Sequence, residues 1–180
     1  MSRNTALVVI DVQVGIIEGG RAYCVGEVLE RISSMLTQAR AAGTAVIYVQ
    51  HDGPEGHAVE VDSPGWRIHP AIAPAPGELV VRKRASDSFF DTTLQNELEE
   101  RGIRHLVITG AMTEYCVDTT CRRAVSLGYD VTLVGDAHTT YDNDLLPAAR
   151  IISHHNALLD GFDAGEHGIA VKPAESVDLT

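Results

Sequence analysis

Cysteine is scarce in this chain. Of 180 residues only Cys24, Cys116 and Cys121 carry a thiol. The number is odd and no CxxC spacing occurs, which argues against a disulfide framework or a structural zinc site and fits a reducing cytoplasm. Positive charge is also in short supply: 14 Lys and Arg against 25 Asp and Glu leave a net charge of −11. Binding to nucleic acid or to an anionic membrane needs clustered cations, and the one basic run, Arg82-Lys83-Arg84, is too short to supply them. No apolar stretch approaches the roughly 20 residues that cross a bilayer. The first apolar run stops at Asp11, too early for the core of a signal peptide. Repeats, low-complexity tracts and linker-like composition are missing as well, so one soluble domain over 1–180 is expected, large enough to bury a full core.

What is present is alternation. Ala6-Leu7-Val8-Val9-Ile10 is a continuous apolar run, as in a strand buried on both faces. Val25 to Ala42 places Val28, Leu29, Ile32, Met35, Leu36 and Ala39 at helical spacing, with Gly43 as a C-cap. Further strands are predicted over 44–49, 78–81, 104–109, 129–134 and 168–171. Further helices are predicted over 92–101, 113–127 and 143–159. Strands alternating with helices predict an α/β protein, a mostly parallel sheet of about six strands covered on both faces. Right-handed crossovers put every strand's C-terminal end on one edge, where such sheets bind their ligands.

Three chemically capable residues lie just past predicted strand ends: Asp11, Lys83 and Cys116. A cysteine entering a helix from a buried strand is set up as a nucleophile, because the positive end of the helix favours the thiolate. Asp11 could take the thiol proton and return it to a leaving nitrogen, and Lys83 could favour the thiolate by charge. Backbone N–H groups of Met112 and Cys116 could hold an oxyanion. Each residue also has an ordinary reading: a small buried hydrophobe at 116, a turn cap at 11, a solvated charge at 83. Cys121 falls on another helix face, and Cys24 lies in a loop.

Val9-Ile10-Asp11-Val12-Gln13, Lys83 with Ser86-Asp87-Ser88-Phe89-Phe90, Gly110 through Thr120, and Asp136-Ala137 together resemble the isochorismatase-like cysteine hydrolase superfamily. The resemblance runs over nearly the whole chain. It implies a Rossmann-like three-layer α/β/α fold and a triad of Cys116 (nucleophile), Asp11 (general base and acid) and Lys83 (charge partner). It also implies a cis peptide joining Ala111 to Met112, turning the Met112 N–H toward the oxyanion, and a homo-oligomer, dimer or tetramer. The implied chemistry is cofactor-free hydrolysis of a C–N bond in a small amide, lactam or ureide. Alternatives are isochorismatase-type ether hydrolysis, or a non-catalytic member that senses oxidants through its thiol. Metal-dependent nicotinamidases of the superfamily carry Asp-x-His after the second strand. Here Gln50-His51-Asp52-Gly53 differs in order and spacing, so no metal is expected, although His51, Asp52, His57 and His69 share the loop. Gln13, Trp66, Phe89 and Tyr115 are the expected pocket residues, with the aromatic ones equally suited to a core.

Overall fold

The structure, a computed structural model, describes residues 4–19 and 21–179. Seven strands form its sheet: β1 (Thr5–Ile10), β2 (Ala45–His51), β3 (Leu79–Lys83), β4 (His105–Ala111), β5 (Asp130–Thr139), β6 (Asp163–Ala164) and β7 (His167–Lys172). Their order across the sheet is β3-β2-β1-β4-β5-β7-β6. All pairings are parallel except β6 with β7. The parallel sheet expected from sequence is therefore present. The additional strand is a two-residue antiparallel edge turned at Gly165, too short and polar to be read in advance.

β1 is buried throughout, and its side chains alternate between two cores. Ala6, Val8 and Ile10 join one core with Leu94 and Leu98 of α3 (Leu94–Glu100) and Cys121, Ala124 and Val125 of α4 (Asp118–Ser126). Leu7 and Val9 join the other, which α2 (Val25–Ala42) covers with Val28, Ile32, Met35, Leu36 and Ala39. The period of two along a strand thus builds three layers from one apolar run. Gly43 ends α2 in the left-handed conformation and donates to the Ala39 and Arg40 carbonyls, as the predicted C-cap requires.

The last long helix, α5 (Ala148–Leu159), begins five residues later than its apolar spacing predicts. Asn143 Oδ1 accepts the Leu145 and Leu146 N–H groups, and Asp142 Oδ1 accepts the Ala148 N–H. These side chains tie up the backbone as a turn before Pro147 allows the helix to start.

Strands β1 to β3 step toward one edge of the sheet, and β4 returns to the other side of β1. The order therefore reverses between β1 and β4, the point where a crevice opens beyond the strand ends. At that seam Gly110 has φ of +125°, and a Cβ there would stand 2.0 Å from the Ile10 carbonyl oxygen. Only glycine lets β4 pass so close to β1. The pairing of β4 with β5 shifts register at the same place, between Ile108 and Gly110.

A short helix, α1 (Val14–Ile17), follows β1 and packs against the long segment between β2 and β3. The Ala58 carbonyl oxygen would lie 2.1 Å from a Cβ on either Gly15 or Gly65. Two glycines thus let this segment close over the end of β1.

Candidate active site

Each of the three sheet-edge residues is placed by its strand. Asp11 follows β1 directly and takes a left-handed φ of +50°, uncommon for a residue with a side chain but tolerated by aspartate. Its N–H donates to the Val49 carbonyl at 2.9 Å, which anchors the turn to β2. Lys83 ends β3, where alternation turns Val81 and Lys83 inward and leaves Arg82 and Arg84 exposed. Cys116 lies in one wide π-helical turn, Thr113–Val117, between β4 and α4. Ala111 and Met112, just before that turn, are joined by a cis peptide bond.

The three meet at the Lys83 ammonium. Nζ lies 2.6 Å from Asp11 Oδ2 and 3.2 Å from Cys116 Sγ, and it also donates to the Ala85 carbonyl at 2.9 Å. Its fourth neighbour is His51 Nδ1 at 3.4 Å. An ammonium has no lone pair to offer, so that imidazole nitrogen is the acceptor. Asp11 is fully buried, and its Oδ1 has no hydrogen-bond partner among the described residues. A buried carboxylate oxygen without a donor is costly unless another proton, or a ligand, reaches it.

Burial lowers the Lys83 pKa, but the Asp11 carboxylate, with the Cys116 sulfur beside it, outweighs burial and leaves it raised, so the group stays an ammonium. The thiol moves the other way from the sequence-based expectation. Burial, then the Asp11 charge, push the Cys116 pKa up to about 12 against the opposing pull of Lys83. A helix N-terminus alone favours a thiolate, but here desolvation and a neighbouring carboxylate decide the balance. Cys116 rests as a neutral thiol. His51 is pushed down by burial and then by Lys83, and is neutral too.

A cavity of about 350 Å³ opens onto Asp11 and Cys116. Met112, Tyr115, His51 and His57 line it, with Ile16, Ala58 and Tyr141 on the wall supplied by α1 and its covering segments, and Arg21 beside them. Of the residues expected at the pocket, Tyr115 is there. Gln13, Trp66 and Phe89 lie away from the cavity wall. Gln13 is wholly buried, donating to the His51 and Trp66 carbonyls at 3.0 and 2.8 Å and accepting the His51 N–H at 2.8 Å. It holds the two covering segments in place. Trp66 donates its indole N–H to Asp52 at 3.0 Å and lies under the Arg82 guanidinium. Phe89 is core, stacked against Tyr129.

The ligand-type side chains of this stretch are divided: His51 and His57 face the cavity, 6.0 Å apart between ring centres, and the other two are engaged elsewhere. Asp52 is taken by Arg82 at 2.9 Å, and His69 pairs with Glu18 at 3.3 Å. Among the described residues no group of three or more His, Cys, Asp or Glu is disposed to hold a metal ion. Arg21 and Tyr141 were not legible as site residues. They reach the cavity through an antiparallel bridge between Ala22 and Tyr141, a contact with no sequence signal.

Behind the site, buried His138 of β5 links the π-turn to α5. Asn156 Nδ2 donates to the Gly135 carbonyl at 2.8 Å, so its Oδ1 accepts from His138 Nε2, also at 2.8 Å. His138 Nδ1 then accepts the Thr113 hydroxyl at 2.8 Å. This tautomer is assigned from the hydrogen-bond network. Burial pushes the His138 pKa down to about 4.

Fold and site together define a class: a three-layer α/β protein with a thiol, a carboxylate and an ammonium gathered at the C-terminal edge of its sheet. The chain belongs to the isochorismatase family, whose Isochorismatase domain matches residues 5–152. It is 42% identical over 149 residues to a streptothricin hydrolase of Streptomyces noursei, covering 82% of this chain and 53% of that protein. It is 31% identical over 172 residues to the ureidoacrylate amidohydrolase RutB of Variovorax paradoxus, covering 74% and 68%. The chain spans about half the length of the streptothricin hydrolases it matches. A solved isochorismatase from Pseudomonas putida superposes with a TM-score of 0.89 at 31% identity, over 98% of this chain and 91% of that one.

Proposed function

We propose that the protein hydrolyses a C–N bond in a small amide, lactam or ureide through a thioester on Cys116. The observation that carries this reading is the Lys83 ammonium, within 2.6 Å of the Asp11 carboxylate and 3.2 Å of the Cys116 sulfur. In the first step Sγ attacks the carbonyl carbon as Asp11 takes the thiol proton, so the thiolate never has to exist free in the buried site. Lys83 holds Asp11 and offsets negative charge as it forms on sulfur. The Met112 and Cys116 N–H groups receive the oxyanion. Asp11 then protonates the leaving nitrogen, the C–N bond breaks and the thioester remains. Water, deprotonated by Asp11, attacks the thioester, the C–S bond breaks and the proton returns to sulfur.

Relatives named streptothricin hydrolase and ureidoacrylate amidohydrolase support this bond type. The raised thiol pKa weighs against the oxidant-sensing alternative, because peroxides react with the thiolate. We also infer a small-molecule substrate without cofactor, nucleic acid or membrane, a homo-oligomer, and a cytoplasmic setting. Three free cysteines support the last of these.

The test is a panel of small amides, lactams and ureides run on the wild type and Cys116→Ala, with intact-mass detection of an acyl adduct. Turnover on at least one substrate is expected, falling about 10⁴-fold or more in the variant. Full turnover by Cys116→Ala would end the reading.

A further inference from the structure

The cavity's charges do not cancel. Asp11 is matched by Lys83 at 2.6 Å. His51 offers Nδ1 to the Lys83 ammonium, and His57 Nδ1 accepts the Val59 N–H at 3.3 Å. Arg21 is left over. Like Arg67, Arg84, Arg104 and Arg150, Arg21 forms no ion pair among the described residues, and of these it is the one that lines the cavity. In a chain of net charge −11, the substrate cavity thus carries one unmatched cation and no unmatched anion.

The backbone beside Arg21 is anchored to the wall of the site. Ala22 bridges Tyr141, and the Tyr23 N–H donates to the Thr140 carbonyl at 3.0 Å. The Tyr141 hydroxyl in turn donates to the Ile16 carbonyl, and its ring lies under the Arg21 guanidinium at 4.9 Å. Stacking on an aromatic face restrains the guanidinium while leaving its N–H edge available, the geometry that suits a two-point grip on a carboxylate. Ile16 and the Tyr141 ring share the cavity wall with it, and Arg21 itself is exposed, open to an incoming anion.

We propose that the substrate bears a carboxylate near its scissile C–N bond and that Arg21 receives it. The inference rests on the amide-hydrolase reading above and narrows its substrate class. A cavity of about 350 Å³ suits a compact acid, such as the half-amide of a short dicarboxylic acid. Arg21 is a specificity-determining residue in this scheme: it touches the far end of the substrate and leaves bond cleavage to Asp11 and Cys116.

The test compares isosteres. Succinamate and glutaramate are the anionic probes, succinamide and glutaramide the neutral ones, and 4-aminobutanamide the cationic one. For the wild type, kcat/KM should favour the half-amides over the diamides by about tenfold or more, the worth of one charge-assisted contact. The preference should lie mainly in KM and shrink as salt is added. Arg21→Gln should bring the ratio near one, Arg21→Lys should restore part of it, and Arg21→Glu should turn the preference toward the cationic amide. An independent readout is succinamate binding to Cys116→Ala, which adding Arg21→Gln should weaken about tenfold. Cys116-dependent turnover of neutral amides with no carboxylate preference, or a preference unmoved by Arg21→Gln, overturns the inference and leaves the hydrolase reading standing. If no probe and no panel amide is turned over in a Cys116-dependent way, the hydrolase reading fails and the inference falls with it.

Discussion

Cys116 is held close to the Asp11 carboxylate through their shared neighbour Lys83. With burial and Asp11 both raising its pKa and only Lys83 lowering it, the thiol is protonated at any physiological pH. Asp11 therefore has two effects that a substitution can separate. Replacing it with Asn removes the negative charge that disfavours the thiolate and leaves the Lys83 ammonium facing the sulfur. Iodoacetamide should then label Cys116 faster than in the wild type at pH 8, about tenfold for each unit the thiol pKa falls. Hydrolysis by the same variant should drop at least about 100-fold, because the proton acceptor is gone. Site-resolved mass spectrometry separates Cys116 from exposed Cys24. Slower labelling in Asp11→Asn would show that the carboxylate does not control the thiol. At this scale the sequence was most readable: residues past strand ends stand out by position. The sign of the thiol shift was not readable, since it depends on how deeply Asp11 and Cys116 are buried together.

The π-turn that carries Cys116 depends on support from β5 and α5. His138, between the Thr113 hydroxyl and Asn156, is neutral when folded, with a pKa near 4 against an ordinary value of 6.5. Folding lowers this pKa, so the unfolded chain binds the extra proton between those values. The stabilisation is complete above about pH 6.5 and is lost as pH falls toward 4. Between pH 7.5 and 5 the loss from this group is about 2 kcal/mol. Urea unfolding of His138→Gln should lack that increment, while the variant is less stable than the wild type at pH 7.5. Equal acid sensitivity in both proteins would place the titration elsewhere. Neither this link nor Gln13's grip on the His51 and Trp66 carbonyls has a sequence signature. Each joins side chains to elements distant along the chain. Trp66 and Phe89 show the converse limit: an aromatic residue near a motif is equally suited to a packed core, and here the indole is taken by Asp52 and the phenyl ring by Tyr129.

Over the whole molecule, strand–helix alternation made the layers and the sheet edge legible, because burial on two faces writes itself as unbroken apolar runs. The walls of the cavity were hidden, since α1, the glycine-packed segment through Ala58 and the strip around Arg21 follow no period. The topology has a further outcome. Asp11, Lys83 and Cys116 are carried at the ends of β1, β3 and β4, so their cluster exists only once those three strands have found their order. Until then Cys116 is an ordinary solvated thiol, far easier to ionise than in the finished protein. Assembly therefore passivates the sulfur, and a newly made chain is most open to oxidation before its sheet closes. Brief pulses of iodoacetamide during refolding should give Cys116 labelling that decays as activity returns. Labelling that stays constant while activity recovers would show that the thiol is not shielded by strand assembly. The thiol doubles as a clock for the pairing of β1 with β4.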